Sequence, residues 1–321
     1  MSRVHEPASA TASADHKTLL AVAVSLVLWA SAFVVIRSVG RGLHPGPLAF
    51  ARLLTGSVVL TGLALCRRHR PLPRGRTLGL VAGYGVIWFA GYTVVLNWAE
   101  RHLDAGTASM IVQLAPLLVA VWAGLFFGEG FPRPLVVGLA IAFGGVVLIS
   151  LGSSTGGVTD VVGVVLGLLA AVLYAAGVLV QKLALPDVDA LTATWLGCTI
   201  GAIATAPFAG QAWSQLAAAS PTDWIGVAYL GVAPTAIAFT TWAYALSRMP
   251  AGRLTATTLV VPAIAIGLSW LMLKEVPASL AVLGGALCIA GVLVTRSRPR
   301  VAKRKTVIAT AAVDAPELTG A

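Results

Sequence analysis

The stretch from Trp98 to Leu148 occurs twice in this chain. Displaced by about 146 positions, it falls on Tyr244 to Val294. Ala105-Gly106 falls on Ala251-Gly252, Pro116 on Pro262, Glu129 on Glu275, and Gly138 and Gly145 on Gly284 and Gly291. Apolar residues match apolar residues cheaply. The punctuation between them does not, and here Ala-Gly, Pro, Glu and two Gly hold one register. The pattern reads as a duplication, in which each copy is one structural unit.

The units belong in lipid. Of the 321 residues, 58% are hydrophobic and 11% charged, with a mean hydropathy of +0.89. A soluble domain carries about 25% charged residues. The net charge of +10 lies in loops and tails, which points to anionic lipid and membrane topology and excludes a nucleic-acid partner. Cys66, Cys198 and Cys288 are dispersed in apolar runs and show neither metal nor disulfide spacing.

Residues 1–17 read as a disordered cytoplasmic N-terminus, with no signal peptide. Ten apolar runs follow, each near the roughly twenty residues that span about 30 Å of hydrocarbon. In the first unit, residues 18–151, they are about Leu19–Ile36, Pro47–Cys66, Leu78–Leu96, Ala105–Phe127 and Pro134–Leu151. A Gly/Ser/Thr-rich linker, 152–160, separates the second unit, 161–295. Its runs are about Val161–Gln181, Ala190–Ala209, Trp224–Tyr244, Leu254–Leu273 and Ala278–Thr295, and a basic tail, 296–321, closes the chain. With the N-terminus inside, the cytoplasmic face collects Arg67, Arg68, Arg70, Arg74, Arg76, Arg133, Lys182, Arg248, Arg253 and the tail cluster. The outer face keeps only Arg37, Arg41, Arg101 and Lys274. The bias predicts both termini in the cytoplasm. Five spans per unit force the second copy to enter from the opposite face. The expected fold is all-α, with ten transmembrane helices as two inverted five-helix repeats and a site where the repeats meet.

Polar residues within spans are the first candidates for function. Arg52 is the one strong charge inside a span; snorkelling, a structural bond and substrate contact are all open to it. Trp29 and Ser31 in the first span match Tyr174 in the sixth, where small neighbours let helices approach closely. Cavity lining and ordinary packing are both open there. Trp88 and Tyr92 stand four apart on one face of the third span. Gln113 precedes Pro116, and Pro116 and Pro262 each remove a helix hydrogen bond and are expected to kink their spans beside a cavity. Pro234 is able to do the same. The favoured reading of Trp242 and Tyr244 is an interfacial belt. Glu129 and Glu275, at span ends, read as structural. Glu100, beside the third span, is the best remaining candidate for proton coupling, although a solvated loop position is the favoured reading. The expected binding set is Trp29, Ser31, Arg52, Trp88, Tyr92, Gln113 and Tyr174.

No zinc-protease, Walker or nucleophile-elbow motif is present. No enzyme activity, metal or cofactor is expected. The Trp29-Ala30-Ser31-Ala32-Phe33 run, Arg52 and the twin Ala…Pro…Glu hairpins resemble the drug/metabolite transporter superfamily, in particular its ten-helix EamA-type exporters. The likeness covers about residues 18–295. It implies a secondary carrier, in a bacterial plasma membrane, that exports a small metabolite such as an amino acid, as a monomer or homodimer in the lipid bilayer. Passive facilitation without proton coupling is the alternative in mechanism. A lipid scramblase or membrane-embedded enzyme is the alternative in class.

Overall fold

The computed structural model describes residues 15–40, 42–66, 72–102, 108, 111–153, 161–273 and 279–295. The N-terminal segment before Asp15, most of the linker, the basic tail, Ala105-Gly106 and Glu275 lie outside the described residues. All regular structure among the described residues is helical. The helices are α1 (His16–Val39), α2 (Pro45–Leu65), α3 (Gly75–His102), α4 (Ala115–Phe126), α5 (Arg133–Ser153) and α6 (Val161–Ala184). They continue with α7 (Ala190–Ala204), α8 (Ala209–Ala217), α9 (Pro221–Leu246), α10 (Ala251–Ala256), α11 (Val261–Leu273) and α12 (Ser279–Thr295).

Five of these, α1, α2, α3, α6 and α9, are long and apolar enough to cross a bilayer; α7 and α8, bent by 51° at a break, make up to six if taken as one span. The expected ten full-length helices are therefore not all present among the described residues. Prolines interrupt three of the apolar runs. Pro207 sits in a 3₁₀ turn, Ala206–Phe208, that separates α7 from α8. Ahead of Pro116 the backbone turns at residues 113–114, and a new helix, α4, begins. Pro262 stands in the first turn of α11, after a 3₁₀ turn at Thr257–Val260. Pro116 thus opens a new helix after a turn, whereas at Pro262 the chain stays helical from Ala251 to Ala265 and tightens into the 3₁₀ turn. A first-turn proline loses no helix hydrogen bond, which is why the break falls at Pro116.

Two long helices carry an internal π segment, Gly85–Tyr92 in α3 and Gly231–Ile237 in α9. The opening glycines are equivalent under the duplication, and each receives a close neighbour. A side chain at Gly56 would stand 3.1 Å from the Gly231 carbonyl oxygen, and one at Gly201 3.2 Å from that of Gly85. The contact made by one copy is made in exchange by the other. The same exchange occurs where α5 packs along α12. Gly138 abuts the Gly291 carbonyl and Gly145 the Gly284 carbonyl, at 2.6 and 2.5 Å from an added Cβ. Backbone-to-backbone approach of this kind is how helices associate in lipid, where no hydrophobic force separates apolar helix from apolar tail.

Candidate functional site

At the centre of the bundle lies a cavity with an empty volume of about 590 Å³, counted to its open mouth. It is lined by Trp29, Ala32, Phe33 and Ile36 of α1, Arg52 of α2, and Trp88, Tyr92 and Leu96 of α3. Val112, Gln113, Tyr174 of α6, Phe239 of α9, Thr258 and Val261 complete it. Six of the seven expected residues line this cavity, so side chains from both copies share one wall. Ser31 does not. Its hydroxyl bonds the Leu28 carbonyl at 2.8 Å and the Tyr229 hydroxyl at 2.7 Å. Two positions from Trp29 on a helix, it faces away from it, whereas Phe33, four positions on, shares its face.

The cavity floor is aromatic. Trp88 is 1% exposed and packs against Tyr174 at 5.1 Å, Phe239 at 5.0 Å and Trp29 at 6.1 Å between ring centroids. Tilted and edge-on pairs at such distances each add about 0.5–1.5 kcal/mol beyond burial. Gly177 makes room for Trp88, because an added Cβ would meet the Trp88 Cβ at 2.5 Å. Trp242 belongs to this cluster, 4.9 Å from Trp29 and fully buried. The interfacial-belt reading fails for Trp242 because α9 runs on to Leu246 and leaves the residue inside the bundle. Tyr244, half-buried, holds Arg248 over its ring at 3.6 Å.

Broken helix geometry supplies the polar contacts. Pro234 has no N–H for the Leu230 carbonyl, and the Thr235 hydroxyl donates to that oxygen at 2.7 Å. The same hydroxyl oxygen accepts from Arg52 Nε at 2.7 Å. Trp29 Nε1 donates to the Pro234 carbonyl at 3.2 Å. Two lining residues of the first copy are thus tied to the π segment of the second. Arg52 is 7% exposed and does not snorkel. Pro262 likewise offers no N–H to the Thr258 carbonyl. That oxygen takes the 3₁₀ bond from Val261 N–H and a second bond from Gln113 Nε2 at 2.8 Å. Gln113, which stands before Pro116 and is expected to give the solute a polar contact, here bonds the carbonyl beside the proline of the other copy.

The polar end of the cavity lies toward the end of the bundle where α1 and α3 finish. The opposite end is sealed. Below Trp88 and Trp242, Gln181 Nε2 donates to the fully buried Tyr84 hydroxyl at 2.9 Å. Lys182 Nζ donates to the Leu246 and Met249 carbonyls at 2.7 Å each. Glu129 accepts from the backbone N–H of Ala251 at 2.6 Å and of Gly252 at 3.0 Å. Glu129 therefore has the structural role expected of a carboxylate at a span end. Its partners are the Ala-Gly pair of the opposite copy, bonded at the start of α10.

Phe239, Thr258 and Val261 carry no distinguishing pattern in the sequence. Only the antiparallel pairing of α1 with α9 brings Phe239 to the site, and Thr258 is marked only by standing four residues before Pro262. No group of His, Cys, Asp or Glu that could hold a metal occurs among the described residues.

A membrane bundle with an apolar central cavity, a single lining charge and one sealed end is the form of a solute carrier. The EamA-like transporter family matches this chain twice, over residues 16–151 and 161–297, and the chain belongs to that family. It is 33% identical over 285 residues to a "Probable terminal-alkyne amino-acid exporter" of Streptantibioticus cattleyicolor, covering 88% of this chain and 94% of that one. It is 34% identical over 272 residues to the "Uncharacterized transporter YdfC" of Bacillus subtilis, covering 84% and 87%. A "Probable amino-acid metabolite efflux pump" of Escherichia coli is 26% identical over 280 residues, covering 84% and 91%. A crystal structure at 20% sequence identity superposes with a TM-score of 0.70 over 87% of this chain and 96% of its own, which shows a shared fold. The chain is a multi-pass membrane transporter of a small molecule.

Proposed function

We propose that this protein exports a small organic metabolite, an amino acid or related compound, by alternating access across a bacterial plasma membrane. Two inverted repeats, ten spans in all, form the carrier, and both termini face the cytoplasm. The reciprocal glycine contacts support the inverted relation, because an exchange of partners between equivalent positions is what a two-fold axis produces. The loop charges support the orientation. In that orientation the sealed end is cytoplasmic, and the described state has its cavity toward the outside. The names of the relatives from S. cattleyicolor and E. coli support an amino-acid-like solute.

One observation carries the reading: a central cavity walled by both copies, beyond one end of which the Gln181–Tyr84 and Glu129–Ala251/Gly252 hydrogen bonds link the copies. We read Trp29, Arg52, Trp88, Tyr92, Gln113 and Tyr174 as the binding wall, with Phe239 and Thr258 added. Neither a carboxylate nor a histidine is among the lining residues. That favours facilitation down a metabolite gradient over proton exchange within the cavity.

Cells expressing the protein and loaded with dipeptides test the reading, with the medium followed by mass spectrometry. At least one small metabolite should accumulate outside faster with the wild type than with a well-expressed Trp88→Ala variant. Identical media from wild-type, variant and empty-vector cells would overturn it.

A further inference from the structure

Resting on the carrier reading, we propose that the cavity selects its solute by a carboxylate docked on Arg52 and is indifferent to an amino group. Arg52 is the one charged residue among those that line the cavity. Its head is fixed, since the Thr235 hydroxyl that accepts from Nε is itself held by the Leu230 carbonyl. Among the described residues no protein acceptor is bonded to its two terminal nitrogens. Those nitrogens carry the remaining donors of a planar fork that matches a carboxylate. The charge of Glu100 reaches Arg52, but no carboxylate is among the residues that line the cavity, and a bound anion would offset the cost of the buried cation from the cavity side.

The second polar group points the same way. The Tyr174 hydroxyl, in a residue 5% exposed, lies within side-chain bonding range of Thr258 and has no other hydrogen-bond partner among the described residues. It lines the same cavity and is able to donate to a second ligand oxygen. The rest of the wall is aromatic and aliphatic. A substrate ammonium would meet no carboxylate there, and a phosphate dianion would find one cation for two charges. The geometry therefore fits a compact monocarboxylate with an apolar body. Amino acids qualify by their acid group, and the matching 2-oxo acids qualify equally. Attraction of an ammonium to the faces of Trp29 and Trp88 is the competing arrangement.

Thermal stabilisation of the purified full-length wild type separates these arrangements. The ligands are leucine and phenylalanine, their 2-oxo acids, their amides, and glycerol 3-phosphate. In at least one skeleton, acid and 2-oxo acid should bind within about threefold of each other. The amide should bind at least about tenfold more weakly, as loss of a charge-assisted bond implies. Arg52→Gln should abolish stabilisation by the 2-oxo acid; if that variant does not fold, the wild-type series decides alone. Amides binding as well as acids, or glycerol 3-phosphate binding best, would overturn the inference and leave the carrier reading standing. If no compound stabilises the protein and no metabolite leaves the loaded cells, both fall together.

Discussion

Glu129→Gln should unlatch the sealed end. In the wild type each carboxylate oxygen takes one backbone N–H, from Ala251 at 2.6 Å and Gly252 at 3.0 Å. Glutamine keeps one acceptor oxygen and loses the charge. A hydrogen bond to a charged group contributes about 1.5–3 kcal/mol, and a negative charge at a helix start about 0.3–1 kcal/mol. Glu129 is half-buried, so solvent takes the contribution toward the lower end of both ranges. Loss of one bond and weakening of the other comes to about 2 kcal/mol, or roughly thirtyfold in an equilibrium constant. If opening that end separates Glu129 from Ala251 and Gly252, the whole change falls on the closed state. Ala245, fully buried behind the latch, is the reporter position. In an Ala245→Cys background with Cys66 replaced by Ser, N-ethylmaleimide should label the Glu129→Gln protein about thirtyfold faster in liposomes. A rate within about twofold of the parent would refute the argument that Glu129 holds that end shut.

Gly177→Ala should cost about 1–3 kcal/mol by overpacking against Trp88, read from unfolding midpoints, and Trp88→Leu should not recover it, because leucine keeps the Cβ and Cγ that the added methyl meets. Gln113→Leu should cost only about 1 kcal/mol, because the Thr258 carbonyl keeps its bond from Val261 and interhelical bonds in bilayers average about 0.6 kcal/mol. A loss above about 3 kcal/mol would show that Gln113 does more than bridge the copies. Gly291→Val should abolish folded yield, since an added Cβ meets the Ala142 backbone nitrogen at 2.5 Å and backbone cannot give way. Normal yield of that variant would contradict the α5–α12 packing.

Much of the site was legible because its residues break the monotony of apolar spans. Arg52 and Gln113 are polar within apolar spans, and Trp29, Trp88, Tyr92 and Tyr174 stand at helical spacing or at equivalent positions of the two copies, although large side chains such as Trp122 and Phe126 are exposed as well. What could not be read is pairing between the copies. Glu129 and the Ala-Gly pair stand out in each hairpin, yet nothing local says that the acid of one copy binds the Ala-Gly of the other. A proline in an apolar run reads as a kink, but its effect depends on whether the helix has already ended: before Pro116 it has, and at Pro262 the chain stays helical. Ser31 was grouped with Trp29 by proximity in sequence, although the helix turns it to the opposite face. Trp242 looked like a belt residue because its distance to the span end depends on how far α9 continues. The π segments leave no pattern in the residues beyond the two opening glycines.

Purified protein in liposomes of defined lipid gives the most direct test that this cavity carries a solute rather than a lipid. Solute counterflow and lipid flipping are measured in the same vesicles, with the metabolite found outside loaded cells as the labelled solute. The account predicts saturable counterflow that Trp88→Ala impairs, with fluorescent lipid flipping no faster than in empty vesicles. Rapid lipid flipping without counterflow would contradict it.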